Sequence, residues 1–253
     1  MASGGISRRL RRLEGPNGHF LLAALDHGVP AGPLPGIESP AEFAEKLPSP
    51  PIGGLVANPG IVRFLGRAAE RFGLVVHLSA GTTIARDPTS KVLSRMPRDA
   101  FALGADAVSV QIQFGPQSEG RMLEDAGLVA DEAAALGLPV LVMAYATGGG
   151  VDATRHAVRA AAELHAQVVQ THYTGSVETF RDVVRGCPAP LLVAGGPLAV
   201  SPGGFLGLVH DAMTAGAAGV SVGRNLFQHP DPGAFARRIG ETIFGSGHAT
   251  IGR

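Results

Sequence analysis

The sequence is short of the residues on which several classes of protein depend. It has one cysteine, Cys187, and no tryptophan among its 253 residues. A single cysteine excludes an internal disulfide framework and any zinc site built from cysteines. Cys187 is therefore predicted to be a small buried side chain. Lysine is almost as rare, because only Lys46 and Lys91 carry a primary side-chain amine.

An excess of charge and long hydrophobic runs are also missing. Basic and acidic residues both number 21, so the formal net charge is zero and the pI is near 7.1. The chain therefore lacks the excess of positive charge that typically accompanies binding to nucleic acid or to an anionic membrane, and we expect neither as a partner. No apolar run reaches the roughly 18 residues of a membrane span, and the arginine-rich start lacks the apolar stretch of a secretory signal. We therefore expect a cytoplasmic protein whose residues 1–18 form a short amphipathic helix, or an arm at an oligomer contact.

What the sequence does contain is a repeating pattern of short apolar runs, each followed by a segment with helical spacing. Hydrophobic residues make up 45% of the chain, so a large core is available. The runs lack polar alternation, as expected for parallel strands covered on both faces. The predicted strands are Phe20–Asp26, Leu55–Asn58, Leu74–Ser79, Ala107–Ile112, Val140–Tyr145, Val168–His172, Leu191–Ala194 and Val220–Val222.

Helices are predicted between these strands from apolar residues at helical spacing. Ser39 followed by Pro40 marks a helix start, with the proline in the first turn. The other predicted helices are Ile61–Phe72, Glu119–Leu136, Val151–Leu164, Val177–Arg185, Gly204–Ala215 and Ala234–Ile243. This alternation indicates one α/β domain over residues 1–253, a single (β/α)8 TIM barrel. A doubly wound open sheet is the alternative, but the LDHGV stretch after the first strand is not the glycine-rich loop that it requires.

Two glycine-bearing turns follow the last two predicted strands. AGGP (194–197) contains Gly195 and Gly196, and VGRN (222–225) contains Gly223 and Arg224. In (β/α)8 barrels these turns commonly bind phosphate through backbone N–H groups, and Arg224 can add a charge-assisted hydrogen bond. The glycines could instead serve only to permit tight turns. We expect a phosphate site here.

Polar side chains at the other strand ends are the candidates for chemistry, because active sites of such barrels lie where the strands end. Asp26 can act as a general base or orient a hydroxyl, although it could merely cap a turn. His27 is expected to face away from the pocket, since neighbours on a strand face opposite sides. His172 shares a predicted face with Gln170, and its imidazole could transfer protons or only cap the strand end. No metal is expected, because His27, His77 and His172 lack the close pairing typical of a ligand set.

Several stretches of this sequence resemble one enzyme group. They are LDHGV, VHLSAGT, DPTSKV, LGADAVSV, MAY, VVQTHYTG (168–175), TFRDVVRGCPAPLLVAGGP and DAMTAGAAGVSVGRNLFQHPDP. The chain is similar to the archaeal-type class I fructose-bisphosphate aldolases and the related 2-amino-3,7-dideoxy-D-threo-hept-6-ulosonate synthases, which are DeoC/LacD-like aldolases. The resemblance implies a phosphorylated ketose-like substrate, aldol chemistry without a cofactor, and a homo-oligomer, often a decamer. It also places an acid/base role on Tyr145, in the MAY stretch.

Position 170 departs from this family. There a lysine forms a Schiff base with the ketone, and the matching residue in this sequence is Gln170. A Schiff base requires an amine with an available lone pair, whereas a carboxamide nitrogen delocalises its lone pair into the carbonyl. Gln170 can therefore donate and accept hydrogen bonds but cannot form an iminium.

The sequence predicts acid/base chemistry on a phosphorylated keto compound without a Schiff base: carbon–carbon bond cleavage or formation, isomerisation or dehydration. The predicted catalytic residues are Asp26, Tyr145, Gln170 and His172. A specialised biosynthetic pathway would fit such an enzyme. Two alternatives stay open. One is a non-catalytic pseudo-aldolase that binds a phosphosugar or stabilises a partner, and the other is a conventional aldolase in which Lys91 replaces the lost amine.

Overall fold

Eight parallel strands close into a barrel in the computed structural model, which describes residues 4–199 and 201–245. The strands are β1 (Phe20–Ala24), β2 (Gly54–Ala57), β3 (Gly73–His77), β4 (Ala107–Phe114), β5 (Val140–Ala146), β6 (Val168–Thr171), β7 (Leu191–Ala194) and β8 (Gly219–Val222). Each pairs with the next along the chain, and β8 pairs with β1. The predicted (β/α)8 TIM barrel is confirmed, and the ends of all eight predicted strands agree to within two residues.

Helices surround the barrel and cover its base. They are α1 (Gly4–Leu13), α2 (Gly28–Ala31), α3 (Pro40–Lys46), α4 (Pro59–Val62), α5 (Pro97–Ala102), α6 (Glu119–Leu136), α7 (Val151–Glu163), α8 (Val177–Gly186), α9 (Pro202–Ala215), α10 (Arg224–Phe227) and α11 (Pro232–Phe244). The start of α3 and the bounds of α6, α7, α8, α9 and α11 confirm the predictions to within two residues. Helix α5 and a short antiparallel pair, Ser79–Ala80 with Val92–Leu93, have no predicted counterpart. Within the described ranges no helix combines the length and the apolar character needed to cross a bilayer.

The predicted helix Ile61–Phe72 is wrong. Helix α4 ends at Val62, and a separate 3-10 segment covers Arg67–Arg71. Gly66 lies between them with a φ of +66° and a ψ of −176°, a conformation outside the helical region that residues with a side chain rarely adopt. Leu65 is nevertheless buried, so apolar spacing continues across the break and periodicity alone does not reveal it.

Helix α1 closes the base of the barrel. Leu13, its last residue, is 3% exposed and packs inside the barrel with Phe20 and Leu22. The strands leave room for it, since a Cβ added to Gly54 or Gly73 would lie only 2.7 or 2.6 Å from Leu13 Cδ2. The amphipathic helix expected for the N-terminal arm is thus present and uses its apolar side against the barrel. Residues 1–3 of that arm lie outside the described residues.

Side chains inside the barrel form layers of four from alternate strands, because the register shifts by about one residue per strand. The strand pairings define three such layers, from the base towards the mouth. The lower layer is Leu22, Val75, Leu141 and Leu192; the middle layer is Val56, Ser109, Gln170 and Ser221; the upper layer is Ala24, His77, Met143 and Ala194. The interior therefore changes from apolar at the base to mostly polar in the middle layer.

Candidate functional site

A cleft of about 670 Å³ opens at the C-terminal ends of the barrel strands. Its walls include all eight predicted site residues, namely Asp26, Tyr145, Gln170, His172, Gly195, Gly196, Gly223 and Arg224. These residues come from positions far apart in the sequence, and the closed barrel brings their strand ends to one mouth. The cleft is therefore the candidate functional site.

The cleft is deep because the upper layer of the barrel interior is small on one side. Ala24 and Ala194 occupy that side, and both line the cleft. Gln170 and Ser221, one layer lower, line it as well and form its floor. They are 5% and 3% exposed, so the floor is polar yet shielded from water.

A hydrogen bond between Gln170 and Tyr145 joins the floor of the cleft to its wall. Gln170 Nε2 donates to the Tyr145 hydroxyl over 2.8 Å. Burial raises the pKa of the Tyr145 phenol well above its usual value; the bond from Gln170 opposes this shift, and the negative charge of Asp26 adds to it. The phenol is therefore neutral at physiological pH. Because its oxygen already accepts from Gln170, and no described residue accepts its proton, the Tyr145 O–H is available to a ligand.

His172 lies at the rim of the cleft, directly after β6. Its ring stacks on that of Tyr145, with 4.3 Å between the centroids and 21° between the planes. It lines the cleft together with Gln170, as expected for residues two positions apart. Burial lowers the pKa of His172, and the positive charge of Arg224 lowers it further. The imidazole is therefore neutral near pH 7 and able to accept a proton.

Asp26 lies just beyond the end of β1, with its Oδ1 3.5 Å from His27 Nδ1. Burial by itself would raise the pKa of Asp26, but the contact with His27 and the nearby His77 outweigh it and lower that pKa. The expectation that His27 faces away from the pocket is wrong, because its side chain lines the cleft. Strand β1 ends at Ala24, so strand alternation no longer applies at His27, which has helical dihedral angles at the start of α2. A side chain on Gly223 would overlap the His27 ring.

His77 is an inward-facing residue of the upper layer that the sequence suggested only as a weak metal ligand. Its Nδ1 is 2.9 Å from Ser109 Oγ in the layer below. Burial lowers the pKa of His77, the negative charge of Asp26 opposes this shift, and Lys91 adds to it. His77 is thus a buried neutral imidazole beside the Asp26 carboxylate. Among the described residues, no group of three or more His, Cys, Asp or Glu is placed to hold a metal ion.

The two glycine-bearing turns lie side by side at the ends of the paired strands β7 and β8. Gly196 has a φ of +67°, which side-chain-bearing residues rarely adopt. Gly195 does not offer its N–H to the cleft, because that N–H donates to the Ser221 carbonyl oxygen over 2.9 Å. Arg224, the first residue of α10, is exposed and lines the cleft. The cation and the turn at Gly196 therefore face the same space.

Asn225 is a residue of this site that the sequence analysis missed. It is 6% exposed. Its Nδ2 donates to the carbonyl oxygens of Gly195 and Pro197 over 2.8 and 3.0 Å, and its Oδ1 accepts from the Ala199 N–H over 2.8 Å. One side chain thus holds the turn after β7 against the end of β8. The sequence feature that could have identified Asn225 is its position: it is an amide residue directly after Arg224, in the second glycine-bearing turn.

Lys91 lies outside the walls of the cleft. Its side chain is buried, and Nζ donates to the Pro88 carbonyl oxygen over 2.7 Å. Burial lowers the pKa of Lys91, and the nearby Asp87 opposes that shift. The amine is therefore bound within its own loop rather than placed beside Tyr145 and Gln170, and this geometry gives no support to a rescue by Lys91.

Comparison with known proteins agrees with this fold. The model of the DeoC/LacD family aldolases matches residues 20–229. A 2-amino-4,5-dihydroxy-6-oxo-7-(phosphonooxy)heptanoate synthase of Streptomyces griseus is 37% identical over 250 residues, which cover 95% of this chain and 91% of that protein. A 2-amino-3,7-dideoxy-D-threo-hept-6-ulosonate synthase of Halobacterium salinarum is 37% identical over 248 residues, which cover 96% of this chain and 93% of that protein.

A solved structure shows the same architecture. It is an archaeal fructose-1,6-bisphosphate aldolase with the catalytic lysine covalently bound to the carbinolamine intermediate of the substrate. It superposes with a TM-score of 0.88 at 28% sequence identity, covering 95% of this chain and 100% of that one. Sequence and structure are thus similar over nearly the whole length. The chain belongs to the DeoC/LacD family of aldolases.

Proposed function

We propose that this protein binds a phosphorylated keto compound at the barrel mouth and catalyses proton transfer next to its carbonyl group without forming a Schiff base. The observation that carries the proposal is the hydrogen bond from Gln170 Nε2 to the Tyr145 hydroxyl, at the floor of the cleft. The Tyr145 O–H is thereby a neutral hydrogen-bond donor next to position 170, where the resemblance implies a reactive lysine amine. The reaction class is enolisation, with isomerisation, dehydration or carbon–carbon bond formation as its outcome. Carbon–carbon bond cleavage is the reverse of the last reaction: the base takes a proton from a hydroxyl, and the enolate left by the cleavage is protonated at carbon.

The substrate class is supported by the relatives and by the charge at the cleft. The Streptomyces griseus relative is named for a product with a 6-oxo group and a 7-phosphonooxy group. In this chain Arg224 provides a cation at the rim, where it can form charge-assisted hydrogen bonds with a phosphate. Asn225 holds the adjoining turn through hydrogen bonds to the Gly195 and Pro197 carbonyl oxygens, and a turn fixed in this way would bind the anion in one position.

Tyr145 and Gln170 would stabilise the charge that develops on the carbonyl oxygen. As a proton leaves the neighbouring carbon, negative charge builds up on that oxygen, and the hydrogen bond from Tyr145 strengthens. Gln170 holds the phenol in place and keeps its proton directed away from the amide. Removing one such donor typically lowers kcat about 100- to 1000-fold.

His172 is the residue we assign as the general base. Its imidazole is neutral because burial and Arg224 lower its pKa, and the ring lies against Tyr145. It would take the proton from the carbon and return it to the same or the neighbouring carbon. Asp26 is the weaker base, since its pKa is lowered, and we assign it the task of orienting a substrate hydroxyl.

Deuterium exchange tests this proposal without knowledge of the natural substrate. Dihydroxyacetone phosphate and fructose 1,6-bisphosphate would be incubated with the protein in D2O, and loss of the C–H signal next to the carbonyl followed by NMR. We expect exchange above the protein-free rate, lost in Tyr145→Phe and His172→Ala. Tyr173→Phe is the matched control, because Tyr173 also lines the cleft but bonds to Asp211.

Borohydride trapping separates the remaining alternatives. An adduct of the wild-type protein with either ketone, located by mass spectrometry, would refute the mechanism without a Schiff base; on Lys91 it would establish the conventional aldolase. Phosphate binding with no exchange for either ketone would refute catalysis of these reactions and favour the pseudo-aldolase.

The assembly and the location in the cell are proposed on the family resemblance. We infer a cytoplasmic homo-oligomer, with a decamer as the form that the resemblance implies. Light scattering coupled to gel filtration tests the oligomeric state, and a monomer at micromolar concentration would contradict the proposed homo-oligomer.

A further inference from the structure

Two buried polar atoms at the floor of the cleft have no hydrogen-bond partner within the described residues. They are Gln170 Oε1 and Ser221 Oγ. Both residues belong to the middle layer of the barrel interior, where β6 and β8 supply neighbouring positions. Buried polar groups in folded proteins are nearly always paired. Two unpaired ones side by side indicate that a ligand group completes them.

The upper layer gives a ligand access to these atoms. Ala24 and Ala194 lie above Gln170 and Ser221, and their methyl groups leave open the space that larger side chains would fill. All four residues line the same cleft as Arg224. On the opposite side of the middle layer, Ser109 differs, because its hydroxyl is already bonded to His77.

The three polar groups around this space require a ligand atom that both donates and accepts. Gln170 Oε1 can only accept. The Tyr145 O–H must donate, because its oxygen already accepts from Gln170 Nε2. Ser221 can do either. A ketone oxygen would satisfy Tyr145 and leave Gln170 Oε1 unpaired, whereas an ammonium group would satisfy Gln170 and offer nothing to Tyr145.

We propose that Gln170, Ser221 and Tyr145 form a subsite for a hydroxyl-bearing carbon of a phosphate ester, in preference to a free ketone at the same carbon. The hydroxyl accepts from Tyr145 and donates to Gln170 Oε1, and Ser221 completes its hydrogen bonds. An alcohol or an enediol meets this requirement. The subsite rests on the proposed function, because it needs the phosphate end of the ligand at Arg224.

This preference has a consequence for catalysis. The enediol has the same composition as the ketone, because the proton that His172 takes from the carbon is passed on to the carbonyl oxygen. A site that pairs this enediol better than the ketone binds the intermediate more tightly than the substrate, and only such differential binding accelerates a reaction. Ser221 thereby gains a role in the proposed reaction, as a residue that contacts the reacting part of the ligand. The lysine of the family makes a covalent bond at the position of Gln170; this chain would use hydrogen bonds instead.

A matched pair of ligands tests the subsite directly. Hydroxyacetone phosphate and propane-1,2-diol 1-phosphate differ only at the second carbon, which is a ketone in the first and bears a hydroxyl in the second. The methyl ketone is chosen because its carbonyl is little hydrated in water. We expect calorimetry to show the alcohol binding about fivefold or more tightly to the wild-type protein, the effect of one unmade buried hydrogen bond.

Variants assign this preference to the proposed atoms. Ser221→Ala and Gln170→Met should bring the two affinities to within about twofold, while inorganic phosphate binds each variant as it binds the wild type. Ser109→Ala is the control: it makes the same change in the same layer, at a hydroxyl that is already bonded, and should retain the preference. Thermal unfolding of each variant confirms that the barrel is intact.

Each outcome bears on a different part of the proposal. Equal or tighter binding of the ketone to the wild-type protein would overturn the subsite, and so would a preference that survives in both Ser221→Ala and Gln170→Met. In those cases both esters still bind, and the proposed function stands. If neither ester nor inorganic phosphate binds, the proposed function fails and the subsite with it.

Discussion

The two sides of the cleft are built in different ways. The side where we propose that an anion binds, here called the anion side, is lined by Gly195, Gly196 and Arg224, with Asn225 holding the turn behind them. The proposed reaction side is lined by Tyr145, Gln170 and His172. Backbone geometry makes the anion side, with one amide side chain holding a turn through three hydrogen bonds. Side chains on two adjacent strands make the reaction side. A single substitution can therefore change the chemistry on the reaction side while the anion side and the barrel are kept.

The largest expected effect comes from Gln170→Lys. It places an amine in the middle layer next to Tyr145, where burial lowers the pKa of a lysine and leaves part of it unprotonated. We expect borohydride with dihydroxyacetone phosphate to trap a covalent adduct in this variant and none in the wild type, as read by intact-mass spectrometry. Gln170→Met is the control and should not be trapped. A folded, phosphate-binding Gln170→Lys protein that forms no adduct would show that the ligand carbonyl does not reach position 170.

The next largest effect is expected from His172. Replacing a general base commonly costs about 100-fold or more, so His172→Asn should slow deuterium exchange by that order. Since its pKa is lowered, the wild-type rate should stay constant down to about pH 6.5 and fall only below it, as the imidazole becomes protonated. In His172→Asn the exchange rate should no longer decrease in this way as the pH is lowered. An identical pH profile in the wild type and in His172→Asn would remove His172 from the mechanism.

On the anion side, Asn225→Ala should weaken the binding of inorganic phosphate about tenfold, because the turn after β7 loses its three hydrogen bonds. It should also lower the free energy of unfolding by about 2–3 kcal/mol, given about 1 kcal/mol for each bond. Arg224→Ala is the comparison, since loss of an exposed cation should reduce the affinity and leave the melting temperature unchanged. Calorimetry and thermal melting separate the two. Unchanged phosphate affinity in Asn225→Ala would contradict the role assigned to Asn225.

The smallest expected effect concerns the dependence of stability on pH at His77, in the upper layer of the barrel interior. Burial lowers the pKa of His77 below the value of about 6.5 that it has in the unfolded chain. Below pH 6.5 the unfolded chain therefore binds more protons, so the free energy of unfolding decreases as the pH falls towards the folded pKa. His77→Gln should show a smaller drop in melting temperature between pH 7 and pH 5. His156→Gln, on the exposed face of α7, should keep the wild-type dependence, and an equal drop in both variants would exclude His77 as the source.

The strands and the mouth of the barrel were predictable because they depend on local patterns. Each apolar run is followed by a helical segment, and in a parallel barrel this alternation alone brings the polar strand ends together. The predictions from sequence were wrong at two places where the backbone conformation of one or two residues decides the local structure. Gly66 breaks the predicted helix Ile61–Phe72, and the early end of β1 turns His27 towards the cleft.

The remaining parts of the site depend on register, which one sequence does not reveal. Ser221 faces the cleft because β8 is staggered against β6 and β7, and the same stagger makes it a neighbour of Gln170. The Gly195 N–H is likewise taken by a carbonyl of the adjacent strand rather than left for an anion. Such pairings follow from the closure of the whole barrel, so they become visible only when all eight strands are in place.

The helix at the base of the barrel sets the order in which a ligand moves. With Leu13 filling the lower end of the interior, the mouth serves as both entrance and exit. A ligand that reaches Gln170 would therefore pass the rim, where Arg224 lies, both on arrival and on departure. After a cleavage, the fragment bound at both Gln170 and Arg224 would consequently leave after the fragment that lacks these contacts, and release would follow a fixed sequence.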